Sequence, residues 1–162
     1  MATNDSGAEA ATGPLIFAYD GSELAASAFT LAARHFAPGQ EAHVVCVYQP
    51  ADVGFVLPKR HHVDADQATD VKAAAEETAA RGAELAEQAG FRATSAAVWS
   101  APTWKGLVDT ADEKDASMIV IASHRRPHGL RGHFVGSVAA AVVAHAECSV
   151  FVVHDHERAE RR

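Results

Sequence analysis

The sequence predicts an α/β fold: a single open, doubly wound sheet of five parallel strands in the order 3-2-1-4-5, with helices on both faces. Two observations carry this expectation. Short apolar runs alternate along the chain with segments whose apolar residues recur at helical spacing. The runs largely lack the in-out alternation of a half-exposed sheet, so helices must cover both of its faces. Right-handed crossovers between such strands then give the doubly wound arrangement.

The first strand is Pro14-Leu-Ile-Phe-Ala-Tyr19, closed by the turn Asp20-Gly21-Ser22. Asp20 or Ser22 can cap the helix that follows, whose apolar positions are Leu24, Ala28, Leu31, Ala32 and Phe36. Pro38-Gly39 stops that helix. His43-Val-Val-Cys-Val-Tyr48 is the second strand, and Gln49 to Gln67 is an irregular loop. A second helix is expected from Asp70 to Ala89, with Val71, Ala74, Ala75, Thr78, Gly82, Leu85, Ala86 and Ala89 facing inward. Gly90 ends it. Phe91 to Trp99 alternates and forms the third strand. Pro102 opens a third helix, in which Leu107, Val108 and Ala111 face the core. Ser117 to Ala122 is the fourth strand, His133 to Ala146 the fourth helix and Cys148 to Val153 the fifth strand. Residues 1–13 form a small, polar, disordered tail, 14–154 the folded domain, and 155–162 a charged tail.

Composition narrows the function. The chain has 162 residues, enough for one domain with a full core. Its formal net charge of -7 argues against nonspecific nucleic-acid binding. No apolar run approaches the roughly 20 residues of a membrane span, and no signal pattern opens the chain, so a cytoplasmic protein is expected. Cys46 and Cys148 both sit in apolar runs and read as free thiols. The ten histidines show no third ligand at a recognised metal spacing, so no metal site is assigned. Trp99 and Trp104 read as packing residues.

The most informative segment is Met118 to Val138. An apolar strand enters a loop carrying Arg125, Arg126 and Arg131, and the loop enters an alanine- and valine-rich helix. A helix N-terminus directs unpaired N–H groups and the positive end of its dipole at an anion. Gathered positive charge in an acidic chain points the same way. On an open α/β sheet, ligands bind beyond the carboxyl ends of the strands at the switch point. In the order 3-2-1-4-5 the first and fourth strands flank that point, so Asp20 and the Ser123–Gly132 loop meet in one cleft.

Taken in order, these segments resemble the universal stress protein family. The resemblance runs from Pro14 to His154. It rests on Ala18-Tyr-Asp-Gly-Ser22, Val45-Cys-Val47, Ser117-Met-Ile-Val-Ile-Ala-Ser-His124, Gly129-Leu130, Gly136-Ser-Val138 and Glu147-Cys-Ser-Val-Phe-Val-Val153. The nucleotide-binding branch of that family carries Gly-x-x-Gly, nine further residues, then Gly-Ser or Gly-Thr. The resemblance implies that Asp20 and Val47 hold the adenosine end of ATP or a related nucleotide. It implies that Ser123, His124, Gly136, Ser137 and Val138 line the phosphate path. Ala18, Tyr19, Ser22, Ile121, Ala122 and Arg125 complete the expected binding set, with Mg²⁺ as a companion of the nucleotide. Family members commonly dimerise through the last strand, here Val150, Phe151, Val152 and Val153.

The chain departs from the motif. Ala122 replaces the first glycine, and Arg125 or Arg126 the second. One extra residue precedes Gly136, and Pro127, which has no N–H, falls inside the loop. Two readings follow. Arginine side chains hold the phosphates where glycine backbone would, or the chain is a nucleotide-free dimeric module acting through protein contacts. A third is an adenine-nucleotide-using enzyme with weak ATP hydrolysis, for which only Asp20 and His124 present themselves. No catalytic residue is assigned. Outside the resemblance, Asp20 reads first as a turn or helix-capping residue and His124 as a solvated loop histidine, while Ser137 reads equally as an early-helix serine.

Overall fold

A computed structural model of the chain describes residues 13–49, 65–123 and 136–154, and in the second helix the side chains from Thr69 onward. The elements run β1 (Leu15–Ala18), α1 (Glu23–Ala32), β2 (Glu41–Tyr48), α2 (Ala65–Gln88), β3 (Arg92–Trp99), α3 (Thr103–Glu113), β4 (Met118–Ser123), α4 (Ser137–His145) and β5 (Ser149–His154). The strands form one sheet in the order β3-β2-β1-β4-β5, and every pairing is parallel. This is the architecture expected from the sequence.

Alternate residues of the central strands feed two apolar cores. On one face Leu15, Phe17, Val44 and Val120 pack against Ala25, Ala28, Phe29 and Ala32 of α1 and Ala86 of α2. On the other, Ile16, Val45, Ile119 and Ile121 pack against Leu107, Val108 and Ala111 of α3 and Ala139 and Val142 of α4. The ring of Phe17 lies 4.8 Å from that of Phe29 and 5.3 Å from that of Phe91, spacings at which aromatic pairs attract beyond their buried area. Among the described residues no helix is long and apolar enough to cross a membrane.

Several expectations shift. The buried stripe of α1 is Ala25, Ala28, Phe29 and Ala32, not one through Leu24 and Leu31. The helix ends at Ala32, well before Pro38-Gly39. Apolar side chains ring most of α1, so its inward face is set by Phe29 meeting Phe17. α2 begins at Ala65 and absorbs the end of the expected loop, because Ala65-Asp-Gln-Ala-Thr-Asp70 holds no helix breaker. Its buried positions are Ala75, Ala79, Gly82 and Ala86, while Ala74 is exposed. α3 starts at Thr103, with Pro102 as its extended N-cap. α4 starts at Ser137 rather than His133: Gly136 has ψ 150°, which no helix can run through. Trp99 is not a packing residue, being 60% exposed at the end of the sheet's edge strand. Trp104 does pack, with its ring stacked 4.3 Å from that of His145. The two expected tails, save Gly13, and most of the expected 49–67 loop lie outside the described residues.

Two predictions follow from packing and burial. A Cβ at Gly82 would stand 2.6 Å from Tyr19 Cδ1 and 2.7 Å from Val44 Cγ1. Gly82→Ala therefore destabilises by about 1–3 kcal/mol through overpacking, against a helix-propensity gain of about 1 kcal/mol. Urea unfolding should show a lower midpoint despite the better helix former. His43 is buried, and its Nδ1 lies 2.7 Å from Thr94 Oγ1. Burial, then the nearby Lys114 ammonium, pushes its pKa below the ordinary 6.5. The unfolded chain then binds the proton more readily, so this stability is present above that value and lost as pH falls through the lowered one. Stability followed from about pH 7 to about pH 5 should decline less in His43→Gln than in the native chain.

Candidate functional site

β1 is short and β2 is long, and this mismatch opens a cleft. β1 pairs with β2 only as far as Ala18 opposite Val45, and Tyr19 N–H donates to Val45 O at 3.0 Å. The chain then turns away through Asp20-Gly21-Ser22, where Gly21 has φ 84°, a value that suits glycine. Asp20 Oδ1 accepts from Ser22 N–H at 2.9 Å, and Ser22 Oγ accepts from Ala25 N–H at 3.2 Å as the α1 N-cap. Asp20 thus fills the turn role open to it from sequence, and its carboxylate stands exposed at the cleft.

β2 continues past that turn. In a strand each residue's N–H and C=O point to one side, and successive residues alternate. Val45 O faces β1, and Tyr48 O faces β3, where it accepts from Ser100 N–H. Val47 therefore directs its N–H and C=O toward the β1 side, beyond the point where β1 has ended. Among the described residues nothing pairs with them there. A donor and an acceptor of one residue, aimed side by side into a cleft, match the edge of a heterocyclic base.

The cleft is a cavity of about 160 Å³ at the carboxyl ends of β1, β2 and β4. Of the residues expected at a ligand site, Ala18, Tyr19, Asp20, Ser22, Val47, Ile121, Ala122 and Val138 line it. Ser123, 3% exposed, does not line it; its Oγ accepts from Gly136 N–H at 2.8 Å and fixes the start of α4 to the end of β4. Ser137 is exposed at the first position of α4, and Gly136 caps that helix without a side-chain bond. His124 and Arg125 lie outside the described residues. The structure adds lining residues that the sequence reading missed. Leu24 and Ala25 come from α1, Val45 from β2, and Thr103 and Leu107 from α3. Val45 was within reach, two residues before Val47 on the same side of the strand. Thr103 carried no signal, because nothing in local sequence says which helix leans over the cleft.

Among the described residues no three His, Cys, Asp or Glu side chains converge as metal ligands. The walls are mostly aliphatic, so the cavity suits a flat apolar ring with polar edges. Burial raises the Cys46 thiol above its ordinary value, with the Asp20 carboxylate adding to the shift, which disfavours a nucleophilic thiolate.

The Ser123 contact is testable. Ser123→Ala leaves a part-buried N–H without its acceptor, at a cost of roughly 1–3 kcal/mol. Amide exchange at Gly136 should quicken by more than at Val142, which lies deeper in the same helix.

The family model described as the Universal stress protein family matches residues 12–154. Among solved structures, the universal stress protein from Archaeoglobus fulgidus in complex with dAMP is similar at 23% identity. That likeness covers 87% of this chain and 97% of that one, with a TM-score of 0.57. A universal stress protein in complex with cAMP is similar at 20% identity, covering 88% and 96%, with a TM-score of 0.60. The universal stress protein UspA from Lactobacillus plantarum is similar at 20% identity, covering 88% and 97%, with a TM-score of 0.62. At these identities the structural likeness is one of fold. The family match spans nearly the whole chain, and the chain belongs to the universal stress protein family.

Proposed function

We propose that this chain is a regulatory module that binds ATP or a related adenine nucleotide in the cleft beyond β1, β2 and β4. The observation that carries the reading is the backbone donor and acceptor of Val47, turned into an apolar cavity where β1 has ended. The volume agrees. A cavity of about 150 Å³ takes a benzene ring, whereas whole drug-sized ligands need about 300 Å³ or more. A cavity of about 160 Å³ is thus of a size for a ring, with the phosphates left outside it. The base enters against Val47, Leu107 and Ile121, and Asp20 at the mouth accepts from the sugar. The phosphates run toward the start of α4, whose first turn offers N–H groups and the positive end of the dipole. Arg125 and Arg126 supply the charged donors that the missing glycines do not, and Mg²⁺ accompanies a triphosphate. The universal stress proteins solved in complex with dAMP and with cAMP each hold an adenine nucleotide, which supports the same class of ligand here.

In this reading the working unit is a homodimer through β5. That strand closes one edge of the sheet, and Val150, Phe151 and Val152 on it stay partly exposed, a surface open to pairing. The second reading, a dimeric module without nucleotide, is favoured by Ala122, Arg125 and Pro127, which depart from the glycine motif.

Thermal unfolding separates the two. At 100 times its dissociation constant a ligand stabilises by about 2.7 kcal/mol, roughly 5–10 °C for a domain of this size. Adenosine, AMP and Mg²⁺–ATP should each raise the midpoint. Gly136→Asp is the diagnostic variant. Its Cβ would meet Ser123 Oγ at 3.4 Å, an ordinary contact, and aspartate is a favoured N-cap, so the fold should hold. The new carboxylate repels phosphate, so the variant should keep its response to adenosine and lose the extra response to AMP and ATP. No shift with any of the three in the native chain would favour the nucleotide-free module.

A further inference from the structure

The cavity-lining residues with polar side-chain atoms are Tyr19, Asp20, Ser22 and Thr103. Asp20 and Ser22 are engaged by backbone N–H groups at the turn, and the Tyr19 ring packs beside Phe29 in the core. Thr103 differs. Its Oγ1 lies 3.1 Å from Gln49 Nε2, and an amide nitrogen only donates. That bond occupies a lone pair of the threonine oxygen and leaves its proton to find another acceptor. Inside a helix a threonine gives this proton to the carbonyl one turn earlier, as Thr110 does to Gly106 O at 2.7 Å. Thr103 is the first residue of α3, so no helical carbonyl precedes it. Among the described residues no other hydrogen bond of Thr103 is present to take the proton. The hydroxyl is thus held as a donor at the wall of the ligand cavity.

We infer that Thr103 is a specificity-determining residue: with its polarity fixed by Gln49, it selects a base presenting an unprotonated ring nitrogen at that wall. Gln49 is a positioning residue that acts on the base through Thr103. The inference rests on the adenine-nucleotide reading and deepens it. Adenine carries acceptor nitrogens at N1, N3 and N7. Pairing of one base edge with the Val47 backbone leaves a nitrogen of another edge to meet Thr103.

The test is calorimetric titration of the full chain with adenosine and with its 1-deaza, 3-deaza and 7-deaza analogues, each of which replaces one ring nitrogen by C–H. Thr103→Val removes the hydroxyl and keeps the shape. It should weaken adenosine binding about tenfold, the value of one hydrogen bond. One deaza analogue should bind the native chain about tenfold more weakly than adenosine does and lose nothing further in Thr103→Val. A purely structural role would weaken all four ligands alike. Thr103→Ser keeps the hydroxyl and should restore adenosine affinity. Gln49→Glu puts a carboxylate where the amide was, draws the Thr103 proton to itself, and should weaken adenosine as much as Thr103→Val does while leaving the affinity for that one deaza analogue unchanged. Unchanged adenosine affinity in both Thr103→Val and Gln49→Glu overturns the inference and leaves the adenine reading standing. Failure of the native chain to bind any of the four ligands overturns the adenine reading and the inference with it. Should Thr103→Val fail to fold, Gln49→Glu and Thr103→Ser carry the same comparison.

Discussion

The unequal length of β1 and β2 is the constraint on which the candidate site depends. β1 has four residues and β2 has eight, and their pairing ends with Ala18 opposite Val45. A parallel ladder that stops on one side strands the next inward-pointing donor and acceptor of the longer partner. Those belong to Val47. Buried backbone groups are rarely left unpaired, because each costs about as much as a lost hydrogen bond. The turn at Asp20-Gly21-Ser22 is what truncates β1, and Gly21 is what makes the turn possible. A run of turn residues thus creates, one strand over, a surface that needs a polar partner.

Tight packing keeps this arrangement in place. α2 approaches the sheet at Gly82 so closely that a methyl group there would meet Tyr19 and Val44. Tyr19 is the residue whose N–H makes the last bond from the β1 side to β2. The helix that presses on Tyr19 therefore braces the end of the ladder, and the cleft begins where that brace ends. On the opposite face α3 must carry the chain from the edge strand β3 to β4, past β2 and β1. A helix crossing in that direction brings its N-terminal turn over the exposed end of β2. That is how Thr103 and Leu107 come to form the cavity wall.

Much of this was legible in the sequence, and the failures have physical causes. The strands were readable because apolar runs such as Leu15-Ile-Phe-Ala18 end at turn residues, and the sheet order followed once the crossovers were taken as right-handed. The ends of β1 and β4 were placed together by topology, and Val47 of β2 joined them only through the family resemblance. The inward stripe of α1 was misread because alanine surrounds that helix, leaving Phe29 to choose the face through contact with Phe17. Trp99 was misread because hydrophobicity does not reveal that a strand lies at the edge of a sheet. Gly136 was placed inside a helix because alanine and valine after it dominate the local signal, while its extended backbone depends on the Ser123 hydroxyl across the sheet end. Thr103 is the clearest case: its role depends on which helix overlies the cleft, a tertiary fact with no local signature.

The two ends of the proposed nucleotide are then governed by different parts of the chain. The base end meets Val47, Ile121, Leu107 and Thr103, all on strands and helices whose positions are fixed by the two cores. The phosphate end meets the start of α4 and the segment in which this chain departs from the glycine motif. Of the departures from the glycine motif, Ala122 lines the cavity proposed for the base, whereas Arg125 or Arg126 in place of the second glycine, and Pro127, which has no N–H, fall in the segment between β4 and α4. On the proposed reading, affinity for phosphate can change through arginine gained or glycine lost there, while the choice of base stays with Val47 and Thr103. The segment between β4 and α4 can change in this way without disturbing the two cores that hold the sheet together.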